Sequence, residues 1–409
     1  MRRLALVALV AGCGAAEPGV ARAPITNGAA DPGDPAVVAL LDASGSVACS
    51  GTLIAPHTVI TAAHCMLDGN DFDQFQVAFG ASASPMGALA LTDARPHPMF
   101  DPATFAHDLC LLTLRQVAPV APMAIDPRAV DQSFVGVSFS AVGFGSTAPQ
   151  ALDTGTRRSG TAKVIAVDAG GFTVAPAPSQ PCAGDSGGAA LFQNGGATVL
   201  TGVISHGDTG CSDHAVFSRL DVAEASFIQP YLDSIAGGSA QTGERCYFDE
   251  QCRAGPCLQA LDEPKRFYCA QPCKQDRDCP PAMTCAADGC RYRAPSPGAL
   301  GATCAGDADC VSGACWLAPG HAGACTRSCI PTGQDCPAGY ACTNTGGIAF
   351  DCLRAPSSGC ALGGSPAPPG GLAFFALALA WLVARRLRAV ISWNDAYTNR
   401  PRAPRPRLR

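Results

Sequence analysis

Sixteen of the chain's 23 cysteines fall between Cys246 and Cys352, and their spacing repeats. From Cys246 to Cys290 the pattern is C-x5-C-x4-C-x11-C-x3-C-x5-C-x5-C-x4-C; from Cys304 to Cys352 it is C-x5-C-x4-C-x9-C-x3-C-x6-C-x5-C-x9-C. Five of the seven gaps match or differ by one, which is the mark of a tandem duplication. Two cysteine-rich repeats are expected, at residues 243–292 and 301–354. So little apolar residue lies between the cysteines that each repeat has to be held by disulfides rather than by a large core. The pairing itself is not legible, since eight cysteines admit on the order of a hundred connectivities. Zinc is the competing use of clustered thiols. No C-x2-C pair occurs, however, and His321 is the only histidine in the segment, so no metal is expected. Disulfides at this density require an oxidising compartment, so the chain is expected to be exported.

Both ends agree with export. Arg2 and Arg3 precede the apolar run Leu4 to Val10 and the small residues Ala11 and Gly12, the layout of a secretory signal, and residues 1–24 are expected to be signal and propeptide. The tetrad Val10-Ala11-Gly12-Cys13 resembles a bacterial lipoprotein cleavage box, which would put a lipid on Cys13; an ordinary signal sequence is the alternative. At the other end, residues 355–409 form a linker rich in Pro, Gly and Ser with Cys360, an apolar run from Leu372 to Ala384, and then Arg385-Arg386-Leu387-Arg388. That run is expected to form a short apolar helix, less than the ~20 residues that span a bilayer comfortably. The arginines beyond it fit the positive-inside rule. The arrangement resembles the surface-sorting tails of myxobacteria, and a plain membrane anchor is the alternative. Eight Arg and one acidic residue lie in this tail, so the rest carries 20 basic against 32 acidic groups. A body that acidic does not suit a phosphate backbone, and no nucleic-acid partner is expected.

Between these ends, residues 25–236 read as an all-β unit. Short β-branched or apolar runs recur between Gly, Pro and Asn: Thr58 to Thr61, Gln76 to Phe79, Leu109 to Leu114, Val135 to Val142, Val164 to Val167 and Val199 to Ile204. Gly195-Gly196 between two such runs predicts a hairpin turn. The unit closes on an amphipathic stretch from Asp221, a candidate N-cap, to Ile235, with Val222, Phe227, Ile228, Leu232 and Ile235 on its apolar face. Many short strands ending in one helix suit a barrel-type domain of about 210 residues.

Three short motifs carry chemistry. Hydrolysing an amide at neutral pH needs a nucleophile, a base to deprotonate it and donors for the developing oxyanion. Cys182-Ala183-Gly184-Asp185-Ser186-Gly187-Gly188 offers a serine in a glycine-rich turn whose N–H groups can face a carbonyl. Val59-Ile60-Thr61-Ala62-Ala63-His64-Cys65 offers an imidazole at a strand end, and His107-Asp108-Leu109-Cys110 offers a carboxylate at the mouth of an apolar strand. In the order His, Asp, Ser, these segments resemble the chymotrypsin/trypsin family from Ile25 to about Ala236.

The resemblance implies two six-stranded antiparallel β-barrels with a C-terminal helix, and endopeptidase activity without a cofactor. It implies that His64 is general base and acid, that Asp108 orients it, and that Ser186 attacks. The N–H groups of Gly184 and Ser186 would form the oxyanion hole. It also implies the bridges Cys49–Cys65 and Cys182–Cys211. Val142-Gly143-Phe144-Gly145 and Ser205-His206-Gly207 stand where the family has Gly-Trp-Gly and Ser-Trp-Gly.

The departures are informative. The position six residues before the nucleophile, an Asp in trypsin-type pockets, is Gln180, so an Arg or Lys side chain would enter unpaired. With Ser205, Gly207 and Ala215, Gln180 defines a pocket expected to take a medium apolar or polar residue. His206 replaces the channel Trp, either as a pH-dependent contact or as a surface residue. The resemblance further implies that cleavage before Ile25 frees an ammonium that pairs with Asp185. Pro24 precedes Ile25 where a tryptic activator would need a basic residue, which suggests a cut after Arg22 and then removal of Ala23-Pro24. Cys110 is expected to be a buried, inert thiol. His57, His97, His107 and His214 are expected at the surface, and the acidic loop Asp68, Asn70, Asp71 and Asp73 is expected to be solvated rather than to hold calcium. The expected partners are protein or peptide substrates and a membrane through the tail, and the repeats either position the protease on a cell-surface partner or space it from the membrane. The alternative overall is a surface binding protein with an inert or never-activated protease domain.

Overall fold

Strands buried at every position need cover on both faces, and two strands here show how they obtain it. Val37–Leu41 (VVALL) and Cys110–Leu114 (CLLTL) are buried throughout. Side chains alternate across a strand. Val38, Leu40, Cys110, Leu112 and Leu114 accordingly enter one core, while Val37, Ala39, Leu41 and Leu111 enter another. The first core fills a closed barrel; the second is the seam between that barrel and its neighbour.

The computed structural model describes residues 25–66, 72–317, 322–330, 336–346 and 349–355. After β1 (Ala29–Ala30), strands β2 (Val37–Leu41), β3 (Val47–Ala55), β4 (Thr58–Thr61), β5 (Gln76–Ala78), β6 (Leu89–Pro96) and β7 (Cys110–Leu114) close an antiparallel barrel in the order β2-β3-β4-β7-β6-β5. Strands β8 (Ser138–Gly143), β9 (Arg158–Val167), β10 (Gly171–Pro176), β11 (Ala189–Asn194), β12 (Ala197–Gly207) and β13 (Ala215–Arg219) form the second, in the order β9-β10-β13-β12-β11-β8, and β8 pairing with β9 closes it. Phe139, Phe172, Phe192 and Phe217 pack against one another inside it, with Ile25 in the same core. Gly195 and Gly196 form the two-residue β11–β12 hairpin with φ of +59° and +88°. That left-handed pair is the geometry a type I′ turn requires.

The two-barrel expectation holds, and so does the closing helix, with one correction. Helix α1 spans Gln229–Ile235 and continues a π-type turn over Glu224–Ile228. Asp221 is not its N-cap: its carboxylate is taken by Arg219 and by the Val130 N–H. Val222 is 45% exposed, and Tyr231 takes its place on the buried face beside Ile228 and Ile235.

Beyond the helix, the disulfides divide the repeats more finely than their spacing does. Cys246–Cys257 with Cys252–Cys269, and Cys273–Cys285 with Cys279–Cys290, make two interlocked pairs. Cys304–Cys315 with Cys310–Cys325, and Cys329–Cys342 with Cys336–Cys352, make two more. Each pair joins first to third and second to fourth cysteine, so the repeating unit has four cysteines rather than eight. These bonds occupy all sixteen sulfurs, which removes them as metal ligands. In the first three units Asp249, Asp276 and Asp307 recur in the 3-10 turn after the first cysteine, and each accepts the N–H of the third, Cys257, Cys285 or Cys315.

The first of these units packs on the N-terminal barrel. Phe248 stacks on the His57 ring at 3.7 Å and joins the seam core with Tyr231 and Ile235. Arg115 lies over Phe267, and Arg245 reaches Asp93 at 3.4 Å. His57 is therefore buried, not at the surface, and faces Glu250 at 3.5 Å. His97 is buried too, between His107 and Phe227, and burial holds its ionisation below the ordinary imidazole range, with His107 adding to the effect. Asp73 pairs with Lys265, while Asp68, Asn70 and Asp71 lie outside the described residues. So do the signal and lipid-box segment, Pro24, Cys13, Cys360 and the apolar tail. Among the described residues no helix is long and apolar enough to cross a membrane.

Candidate functional site

The seam brings together side chains far apart in sequence. β4 ends at Thr61, and a 3-10 turn over Ala63–Met66 presents His64. Asp108 stands just before β7, whose pairing with β4 sets Thr61 opposite Cys110. That register puts the Asp108 Oδ2 2.7 Å from His64 Nδ1, while Oδ1 accepts the His64 backbone N–H at 2.8 Å. Asp108 is fully buried, and Ser205 donates its hydroxyl to Oδ2 at 2.5 Å. Burial alone pushes this carboxyl up. The hydrogen bonds and charge of His64, with the Ser205 hydroxyl, outweigh it and hold the group below the ordinary carboxylate range.

Ser186 comes from the second barrel, in the turn before β11. Its backbone carbonyl accepts the Ser50 N–H of β3 at 2.7 Å, which ties the turn across the seam. The Ser50 hydroxyl donates to the Gly184 carbonyl at 2.9 Å and accepts the Phe144 N–H at 2.9 Å. Gly184 has φ +89° and Gly187 φ +83°. A Cβ at Gly187 would stand 2.1 Å from the Ser50 carbonyl, so only glycine fits there. Asp185 N–H bonds the Cys182 carbonyl, and Gly187 N–H the Ile204 carbonyl. The N–H groups of Gly184 and Ser186, between them, donate to no acceptor among the described residues. Cys49–Cys65 and Cys182–Cys211 are both formed, bracing the His64 turn and the Ser186 turn. The Ser186 hydroxyl makes no hydrogen bond to His64 in this structure; such contacts commonly tighten only when substrate is bound.

Around this centre the other expected residues fall as follows. Gln180 is fully buried, its Nε2 donating to Asp208 Oδ1 at 2.6 Å and to the His214 carbonyl at 2.8 Å, while its Oε1 has no partner. Gly207 and Ala215 are opposite each other on β12 and β13. Ser205 is buried, with its hydroxyl on Asp108, and it lines the same cleft as His206. Ile25 is fully buried, and Thr26 pairs with Gln180. Asp185 is fully buried and held by the N–H groups of Gly145 and Cys182. Cys110 points into the first barrel with its thiol ionisation pushed up by burial. Three residues escaped sequence reasoning: Ser50, Phe105 and Asp208. Phe105 stands edge-on to His64 with ring centroids 5.5 Å apart and tilts against His206 at 4.8 Å. Each works through a contact across the fold, and none sits in a pattern that marks it locally.

A family model for trypsin matches residues 25–225. The chain is 29% identical to a trypsin of Saccharopolyspora erythraea over 194 residues, covering 44% of this chain and 83% of that protein. It is 30% identical to granzyme A of Bos taurus over 189 residues, or 40% and 70% of the two. It is 27% identical to glucanase inhibitor protein 1 of Phytophthora sojae over 181 residues, again 40% and 70%. With the trypsin model matched and granzyme A 30% identical over 70% of its length, the chain belongs to the trypsin family.

Proposed function

We propose that the chain is an exported serine endopeptidase whose reaction runs through His64, Asp108 and Ser186. The observation that supports this reading is the His64–Asp108 pair, joined at 2.7 Å, with the Ser186 backbone held close by at Ser50 and Cys65, beside two unspent backbone donors, the N–H groups of Gly184 and Ser186. In the reaction, His64 Nε2 takes the proton of the Ser186 hydroxyl as Oγ bonds to the scissile carbonyl carbon. The negative oxygen turns toward the two N–H groups, which are fixed in place by the Ser50 contacts and need no reorganisation. Collapse breaks the C–N bond, and the proton passes from His64 to the departing amine. A water molecule then enters along the same path and releases the acyl group. Asp108 stays ionised throughout, holding the Nδ1–H tautomer and stabilising the imidazolium.

Export is supported by ten disulfides, which need an oxidising compartment to persist. The neutral Gln180 at the pocket floor favours a neutral side chain over Arg or Lys. Maturation would follow cleavage before Ile25, whose new ammonium would pair with the buried Asp185. A second reading, an inert binding protein, draws on the similarity to the glucanase inhibitor protein. Fluorophosphonate labelling separates the two. An active enzyme carries the adduct on Ser186 in a chain beginning at Ile25 and loses it in Ser186→Ala. A chain that begins at Ile25 and takes no label overturns the enzyme reading.

A further inference from the structure

The Ser205 hydroxyl has one proton, and its partners decide where that proton goes. Asp108 Oδ2, 2.5 Å away, is an ionised carboxylate oxygen and can only accept. Ser205 is therefore the donor, and the contact of its oxygen with His206 Nδ1 at 3.1 Å has to run the other way, from Nδ1–H to the serine oxygen. That assigns the proton of neutral His206 to Nδ1 and leaves Nε2 as the lone-pair nitrogen. The same Asp108 oxygen receives His64 Nδ1–H at 2.7 Å. The result is one continuous chain of hydrogen bonds, His206 to Ser205 to Asp108 to His64, with Ser205 and Asp108 both buried. Phe105 closes it sterically, lying between the two imidazoles.

The inference rests on the catalytic reading above. We propose that His206 is a positioning member of the charge relay, which couples the protonation state of the cleft wall to that of the His64–Asp108 pair. The ring forms part of a cleft of about 480 Å³ together with Phe105, His107, Asp168 and Val216. Four titratable groups bear on it besides Asp108: His64, His214, His107 and Asp168. Burial opposes a charge on His206 most strongly, Asp108 favours one, and the like charges of His64 and His214 oppose it, leaving its ionisation below the ordinary imidazole range. At neutral pH His206 is thus uncharged, its Nδ1–H polarising the Ser205 hydroxyl toward Asp108. On acidification a second cation comes to share the carboxylate that steadies the first. The two imidazoles then bear on one shared carboxylate.

The test uses the full-length Ser186→Ala chain, which turns over no substrate, with its histidines labelled with 15N; there are seven in all. With His206 present, the His64 ring nitrogens shift in two steps as the pH falls. In His206→Gln, whose amide still donates to Ser205 but does not titrate, they shift in one. A single step in both chains overturns the proposal. Kinetics on a small acyl ester that does not fill the cleft give an independent readout in the active chain. His206→Phe is expected to lower kcat 3- to 10-fold with little change in KM, and His206→Gln to recover most of that loss. Equal losses in the two variants would make the ring a packing element only and overturn the proposal. Two-step titration in Ser186→Ala, together with a Ser186 chain beginning at Ile25 that takes no fluorophosphonate, would uphold the coupling while sinking the endopeptidase reading.

Discussion

Both amide protons of Gln180 are committed, one to Asp208 and one to the His214 carbonyl. Asp208 is in turn wrapped by the N–H groups of Ser212, Asp213 and His214. Burial raises the Asp208 carboxyl, and these donors with Gln180 outweigh it, holding the group below the ordinary carboxylate range. Gln180 is thus a buried neutral amide with a carboxylate directly behind it. This decides what Gln180→Asp, the change that would mimic a trypsin-type pocket, can do. The new carboxylate would meet Asp208 without an intervening proton donor, and Asp208 would lose its strongest side-chain partner. A loss of roughly 2–4 kcal/mol of stability is expected, with no gain in cleavage after Arg or Lys. Thermal melts and hydrolysis of an arginine ester check this; a variant as stable as its parent that cleaves after Arg refutes it.

At the scale of elements, the question is what a segment does once its neighbours are in place. Apolar periodicity read β4 and β7 nearly to the residue and the centre of β12, because each is apolar for reasons local to its strand. The segments around His64, Asp108 and Ser186 stood out for another reason: the chemistry they resemble constrains the residues on either side of each. His57 was not. It is polar and sits at the start of β4, and the ring that covers it, Phe248, lies in a cysteine unit nearly two hundred positions further on. The disulfide pattern was hidden in the same way, since spacing fixes neither the pairing nor the four-cysteine period. The Asp249, Asp276 and Asp307 turns become meaningful only once the third cysteine of each unit is known to lie over them. Phe248 is buried in the seam core beside Tyr231 and Ile235, so the first cysteine unit completes the barrel pair rather than trailing from it. Phe248→Ala is expected to cost about 3 kcal/mol. A melt of the full chain measures the loss; a change of less than about 1 kcal/mol would mean that the stacking is cosmetic.

Across the whole molecule, two buried ionisable groups bear on the N-terminal segment, one by contact and the other through the proposed maturation. Arg157, just before β9, is 2% exposed and donates to the backbone carbonyls of Asp31, Val37 and Gly80, so it braces the second barrel against the first. Asp185 is the other. Burial pushes its carboxyl up to about 7, against the opposing pull of two backbone N–H groups and Arg158. A carboxyl raised on folding binds its proton more tightly in the native state. The uncleaved chain therefore draws stability from the protonated form at low pH and loses it as the pH rises from the unfolded value of 3.8 through about 7. A free Ile25 ammonium would supply the missing cation and remove that loss, if cleavage occurs where the proposed maturation places it. The gain in stability on cleavage should accordingly be small at pH 4 and grow to a few kcal/mol at pH 7.5, a difference of roughly 5–10 °C in Tm. Paired melts of the full chain and of the Ile25-initiated chain across this range measure it. In Asp185→Asn the gain should be small at every pH. A gain of equal size at both pH values in the unmutated pair would show that the buried carboxylate is not what the new terminus satisfies.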